Sequence, residues 1–472
     1  MKYTKDVSIQ VIGVFVSNAG QFTSGYGIGF LGPFGTDLQE QFNLSSSAVT
    51  WVASSITLAG IPGCLVAGKM ADTMGRRNCL FLCYILSSIG WLLVTLSNHL
   101  LVFILGRVIH GFGEGMVIVI TPMYLGEISP ARYKAVLVAS VTVAGWGGNA
   151  VIYALGLFLS WRLCAALCVL ISVLGLLCLL LVPESPLWLA GNGRDEEAER
   201  AFKKFKGDEE EMNLHIDNKM LSLGEMLKKL SFRRDACVFI PPLIIVFYPL
   251  NGGFSMAFFA VDLISSMGIS QPEVISVFVV FLRMFGTVFS LFFLQKFGRR
   301  DSLILSSSIV TACSFIICFL LFTNLVTKQV EDLLLILLLL LSMFCYGLGM
   351  GPVPWVLCSE WPSMDLKVRL YLHFMSQVLI VIRLLQALVN TAATLCYFTS
   401  VFLSAPLASF ILSVAGMPST YSMFALVNCI VLGIVLVLVP ETGGSSYTQF
   451  RKERKKGMEE GQVEEFDEIL EI

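Results

Sequence analysis

Apolar residues along this chain gather in long unbroken runs, not in the alternating or single-face patterns of soluble elements. Twelve runs reach the length of about 20 residues with which a helix crosses a bilayer: 8–31, 48–68, 78–97, 100–125, 136–159, 162–182, 236–264, 273–294, 302–323, 332–358, 371–397 and 415–439. Lipid offers no hydrogen-bond partners, so only helices and closed barrels can span it. The runs are too long and too continuous for barrel strands. They predict an all-α integral membrane protein of twelve transmembrane helices. The first run exceeds a signal-peptide core and lacks a small-residue cleavage site, so it reads as retained.

Polar residues interrupt this pattern once at length. Of the 66 charged residues, 21 fall in 190–235 and 13 in 451–472. The chain therefore divides into an N-terminal six-helix half (1–182), a charged linker (183–235), a C-terminal half (236–440) and a charged tail (441–472). Asp195, Glu196, Glu199, Lys203 and Lys206 are spaced for short amphipathic helices in the linker. The tail starts basic, ends acidic and reads as disordered.

Composition agrees: 56% hydrophobic, 14% charged and a mean hydropathy of +0.78, against about 25% charged in soluble domains. A net charge of −2 gives no footprint for nucleic acid. Lys69, Arg76, Arg77, Arg132, Lys134, Lys296, Arg299, Arg300, Lys367 and Arg369 all lie in short loops on one side, which predicts that side, and both termini, to be cytoplasmic. The thirteen cysteines form no CxxC or metal-ligand spacing and read as small core residues, so no metal or other cofactor is expected. Asn43-Leu44-Ser45 is the one glycosylation triplet.

The halves repeat each other. Gly75-Arg76-Arg77 follows the second span and Gly298-Arg299-Arg300 the eighth; Glu127 and Glu360 close the fourth and tenth; Pro183-Glu184 and Pro440-Glu441 close the sixth and twelfth. Transporters built from repeats bind substrate between the halves and rock around it. Tyr248-Pro249-x-Asn251-Gly252-Gly253 and Gly347 through Pro354 predict breaks in the seventh and tenth helices.

Three charges lie near the middle of apolar runs: Glu114, Arg283 and Arg383. Such residues cost about 2.5–3.5 kcal/mol at the bilayer centre and normally face the bundle interior. Two readings stay open. Glu114 pairs with one of the arginines and fixes packing, or the arginines present positive charge to an anionic substrate. His110 reads as a packed residue, with a proton relay as the rival.

The ordered motifs resemble the sugar-porter branch of the major facilitator superfamily over nearly the whole chain. The matching residues are Gly68 to Arg77 (with Thr73 where the family has Arg), Gly106-Arg107 with Gly111, Gly113 and Gly115, Pro122 to Pro130, Ser160-Trp161-Arg162, Pro183 to Leu189, Gly193-Arg194, Gly349 to Trp355, Glu360 and Pro440-Glu441-Thr442. The general style is similar to that of arthropod trehalose-transporter-like members. The resemblance implies two pseudo-symmetric six-helix halves and a monomer that carries a small molecule across a lipid bilayer, not an enzyme. It implies a cytoplasmic gate of Arg76, Arg77, Arg107, Lys134, Arg299 and Arg300 against Asp72, Glu127, Glu184, Glu360 and Glu441, with ion pairs across the halves that break when the inside opens. The bland rival is a set of positive-inside signals with incidental acids.

The family's cavity positions are altered. Trp355 matches the tenth-span tryptophan, but Thr142 stands at the fifth-span Gln, Tyr248 and Phe254 replace the ends of the seventh-span amide motif around Asn251, and Arg283 and Arg383 take the eighth- and eleventh-span polar positions. Substrate binding is expected from Trp355, Arg283, Arg383, Thr142, Asn251, Tyr248, Phe254 and Glu114. No acid lies in the first run between Asp6 and Asp37, where proton-coupled members carry one, which points to facilitated diffusion. The expected function is uptake of a sugar (hexose or trehalose-like) or polyol at the plasma membrane. An organic-anion carrier using Arg283 and Arg383, and a non-transporting sensor, are the alternatives.

Overall fold

The computed structural model describes residues 2–130, 133–206, 240–323, 327–357 and 375–439, and these form helices joined by tight turns, with no strand among them. The N-terminal half comprises α1 (Lys2–Gly29), α2 (Leu31–Phe42), α3 (Ser46–Met74), α4 (Arg76–Leu96), α5 (Leu100–Ile128), α6 (Lys134–Gly156) and α7 (Trp161–Leu179), followed by the short α8 (Pro186–Gly191) and α9 (Asp195–Lys206). The C-terminal half comprises α10 (Ile240–Phe247), α11 (Gly253–Ser266), α12 (Pro272–Phe297), α13 (Arg299–Thr323), α14 (Lys328–Cys345) and α15 (Met375–Leu438).

Among the described residues, ten helices are long and apolar enough to cross a membrane. Two differences separate them from the twelve expected runs. The more polar α1 falls outside the ten, because Ser17, Gln21, Thr23 and Ser24 form a buried polar stripe on it. The last two runs form the one helix α15, broken only at Gly416, whose φ of 77° is left-handed. Residues 398–414 are themselves apolar, so the chain has no reason to turn where the eleventh run was expected to end. Arg383 consequently lies about 50 Å of helix before the Gly416 turn, beyond the roughly 30 Å of a hydrocarbon core. Its expected mid-span place is corrected on that ground; its side chain lies outside the described residues.

Both expected breaks are present. Tyr248–Asn251 forms a 3-10 turn, and Gly252 (φ 94°) starts α11 in a new direction. Tyr346–Met350 forms a π turn after α14. Proline removes a helical donor, and glycine alone tolerates the left-handed backbone without cost.

Packing within the halves relies on small residues, since lipid supplies no hydrophobic drive between helices. A Cβ on Gly111 would collide with the carbonyl of Ile56, and one on Gly115 with that of Gly60, so α3 and α5 meet backbone to backbone. The amphipathic α9 buries Ala198, Ala201, Phe202 and Phe205 and leaves Glu199 and Lys203 outside.

The repeat shows in matched detail at the face of the Gly-Arg-Arg turns, the basic face. Gly75 (φ 94°) and Gly298 (φ 81°) share one backbone conformation. Arg76 donates to Ala71 O at 3.0 Å and Arg299 to Leu294 O at 3.4 Å, each five residues back. Arg77 Nε donates to Leu179 O at 3.0 Å and Arg300 Nη2 to Leu436 O at 3.2 Å, each capping the last helix of its own half.

Candidate substrate site between the halves

The breaks position the first site. Gly347 packs on the carbonyl of Arg283, where a Cβ would not fit, so the π turn lies against α12. Tyr346 is thereby set beside the Arg283 guanidinium, at 4.4 Å from ring centroid to Cζ. Phe254, at the start of α11, is 5.0 Å from it. From the other half, Trp146 on α6 lies 3.3 Å away. Arg283 is 2% exposed, and its Nη1 donates to Gly253 O. Its Nε and Nη2 have no hydrogen-bond partner. The Tyr248 hydroxyl also faces it, and the Tyr248 ring stacks on Tyr346 at 5.2 Å.

The aromatic contacts continue. Phe254 lies 5.4 Å from Trp146 and 5.5 Å from Tyr397, and Tyr397 meets the half-buried Trp355 at 5.3 Å. The expected Trp355, Tyr248, Phe254 and Arg283 therefore belong to one array, joined by Trp146, Tyr346 and Tyr397. Thr142 is half-buried one helical turn before Trp146. Asn251 serves the break: its Oδ1 accepts from Gly253 N–H at 3.1 Å, while its Nδ2 has no partner. Asn428 donates to Asn251 O at 3.5 Å and to Ser314 at 3.2 Å, leaving its own Oδ1 unpaired.

Glu114 approaches the array from α5. It is 2% exposed, Ser24, Arg107 and Tyr397 are its polar neighbours, and neither carboxyl oxygen has a hydrogen-bond partner. Among the described residues it forms no ion pair, so pairing with Arg283 is not seen; the other expected partner, the Arg383 side chain, lies outside the described residues, and Arg107 is two turns away along the same helix face. Arg107 was expected in the gate, and this too is corrected. It is 1% exposed, near the start of α5, and donates to Gly27 O at 2.7 Å and Ala53 O at 3.2 Å. Glu127 lies about 30 Å away along the same helix. His110 packs on Trp91 with a centroid separation of 5.0 Å, and neither ring nitrogen has a partner.

At the basic face, Arg76 pairs with Glu127 at 3.2 Å and Asp72 at 3.3 Å. Glu184 accepts from Arg77 N–H at 2.9 Å, Ser185 Oγ donates to Glu127, and Trp188 Nε1 donates to Asp72 O at 2.8 Å. These contacts all lie within the N-terminal half. The sequence led to pairs across the halves; the described ones instead brace the α3–α4 turn against the end of α7. Glu360 and Glu441, and the side chain of Lys134, lie outside the described residues.

The halves meet toward the other face. Thr50 donates to Ser409 at 3.2 Å, and Trp51 meets Phe402 at 5.8 Å. Tyr153 OH donates to Ala257 O at 3.2 Å and accepts from Ala260 N–H at 3.2 Å, and Asn149 donates to Ala257 O at 3.4 Å. Sequence reasoning missed Trp146, Asn149 and Tyr153. The signal was there: an aromatic and an amide set among Gly145, Gly147 and Gly148 in an otherwise apolar span.

Comparison with known proteins places this architecture. Residues 13–453 match the family described as "Sugar (and other) transporter". Relatives in Arabidopsis thaliana include sugar transporter ERD6-like 6, 24% identical over 95% of this chain and 91% of the relative, and sugar transporter ERD6-like 15, 27% identical over 93% and 91%. The E. coli xylose transporter XylE in a partially occluded inward open conformation superposes with a TM-score of 0.72 at 20% identity, covering 93% of this chain and 99% of that one. XylE bound to 6-bromo-6-deoxy-D-glucose gives 0.71 at 20% identity, over 93% and 97%. With the helical repeat, the broken spans and a family match over nearly its full length, this chain belongs to the sugar transporter family and has the major facilitator fold.

Proposed function

We propose that the protein carries a sugar or polyol, hexose- or trehalose-like in size, across the plasma membrane by alternating access between its halves. The observation that carries this reading is the array Trp146–Phe254–Tyr397–Trp355, which joins both halves through ring contacts. Aromatic faces stack on the C–H surface of a sugar ring, and unpaired amides such as Asn251 Nδ2 and Asn428 Oδ1 suit its hydroxyls. The bonds of Tyr153, Asn149 and Thr50 close the face away from the Gly-Arg-Arg turns, and the conformer is read as open toward the basic, cytoplasmic side. Both termini are assigned to that side.

Transport is read as facilitative. The first span has no acid between Asp6 and Asp37. Purified protein in liposomes should give saturable counterflow of labelled glucose, trehalose or a polyol that is indifferent to a pH gradient. Absence of flux for all of them would refute the transport reading, and uptake driven by a proton gradient would refute the facilitative one.

A further inference from the structure

Arg283 is a buried cation of an unusual kind. Among the described residues no carboxylate lies within ion-pair distance of it, and the Tyr248 hydroxyl faces it. The ring of Trp146 lies against the guanidinium, and Tyr346 and Phe254 are close by. Such rings stabilise a cation but do not satisfy its N–H groups. One N–H of Nη1 is used by Gly253 O. The two nitrogens without partners are Nε and Nη2. These are neighbours on the planar group, and their N–H bonds point side by side. What is left unpaired is therefore one complete edge of the fork, buried in this conformer near the Tyr248 hydroxyl, the edge that takes a carboxylate through two parallel hydrogen bonds.

The position of the edge matters as much as its chemistry. The guanidinium belongs to α12 of the C-terminal half and rests on Trp146 of the N-terminal half. Phe254 and Tyr397 link it to Trp355. A sugar ring stacked on that array would have its substituents within reach of the arginine. Leaving a buried donor pair unmatched is costly, so a site built this way discriminates against ligands that lack an acceptor for it.

We infer that the preferred substrate is a sugar acid, whose carboxylate is taken by the Nε/Nη2 edge of Arg283 while its ring packs on the aromatic array. The inference rests on the transport reading above and narrows its substrate class. Neutral hexoses would leave the fork unpaired and be carried poorly.

The test is a proteoliposome panel of glucuronate, gluconate, glucose, trehalose and xylitol, for the natural protein and for Arg283→Gln and Arg283→Lys. Uptake of glucuronate should exceed that of glucose, and excess glucuronate should compete for glucose uptake. In Arg283→Gln the acid-to-neutral uptake ratio should fall about ten- to hundred-fold. Arg283→Lys, with a point charge and no fork, should fall in between. Glucose uptake that ignores excess glucuronate in the natural protein would overturn the inference and leave sugar transport standing, even if neither variant folds. Tryptophan fluorescence of detergent-solubilised protein provides a second readout through Trp146. Glucuronate quenching that disappears in Arg283→Gln, without flux of any solute, would uphold the acid site and refute transport. Neither quenching nor flux with glucuronate would refute the acid site.

Discussion

Among the described residues two arginines are buried in this bundle, and the two halves treat them differently. Arg107 sits among backbone oxygens: Gly27 and Ala53 accept from it, and the unpartnered Glu114 lies two turns on along the same helix. Arg283 sits among rings, with one carbonyl as acceptor and an open edge. The first arrangement ties α5 to α1 and α3 and reads as architecture. The second leaves hydrogen-bonding capacity unspent beside a contact between halves. Burial alone does not separate a structural cation from a binding one; the inventory of its partners does.

The sharpest way to break this contrast is to remove each cation. Arg107→Leu strips Gly27 O and Ala53 O of their buried donor, a loss of about 1–3 kcal/mol for each carbonyl. It should give little monodisperse protein on size exclusion, whereas Arg283→Gln should elute normally. Equal loss in both would erase the distinction. Trp146→Leu comes next. Removing the ring from a desolvated guanidinium should cost about 2 kcal/mol. A double-mutant cycle with Arg283→Gln, read from thermal unfolding, should show coupling of about 1 kcal/mol or more; additivity would mean that the ring and the cation are merely adjacent.

Glu114→Gln keeps the shape and removes the acid. Because two carbonyls still hold Arg107, the expected loss is about 1 kcal/mol, visible as a small drop in melting temperature. A loss as large as that of Arg107→Leu would make the acid, not the carbonyls, the anchor. The smallest effect belongs to the exposed control on α9. The Lys203 hydrogen bond, then its charge, holds the Glu199 carboxyl below its ordinary value of 4.5. A depressed carboxylate contributes stability that is present above that ordinary value and is lost as pH falls through the folded one. Lys203→Ala should leave the melting temperature at pH 7 unchanged and return the Glu199 titration, followed by NMR, to the ordinary range.

The spans were legible because length and hydropathy alone decide what lipid accepts, and the Tyr248–Gly252 break was legible because proline and glycine act locally. Depth was less legible. The motif around Arg107 identifies its helix but not its height, so a residue near the start of α5 was grouped with Glu127 at the far end. Arg383 was misplaced because 398–414 is as apolar as the runs beside it and conceals where the turn falls. Trp146, Tyr346 and Tyr397 were passed over for a related reason. In an all-apolar helix an aromatic facing the interior looks like one facing lipid, as Phe289 and Phe292 do. The basic-face motifs were found, but their partners were assigned across the halves because sequence cannot tell which conformer forms which pair.

The meeting of α3 and α5 through Gly60, Gly63, Gly111 and Gly115 bears on inheritance as well as on packing. Every missense change of a glycine codon adds atoms, and at Gly63, Gly111 and Gly115 the added atom meets rigid main chain that cannot rotate aside. Harmful alleles should therefore concentrate on these three codons, while the many lipid-facing leucine codons drift freely.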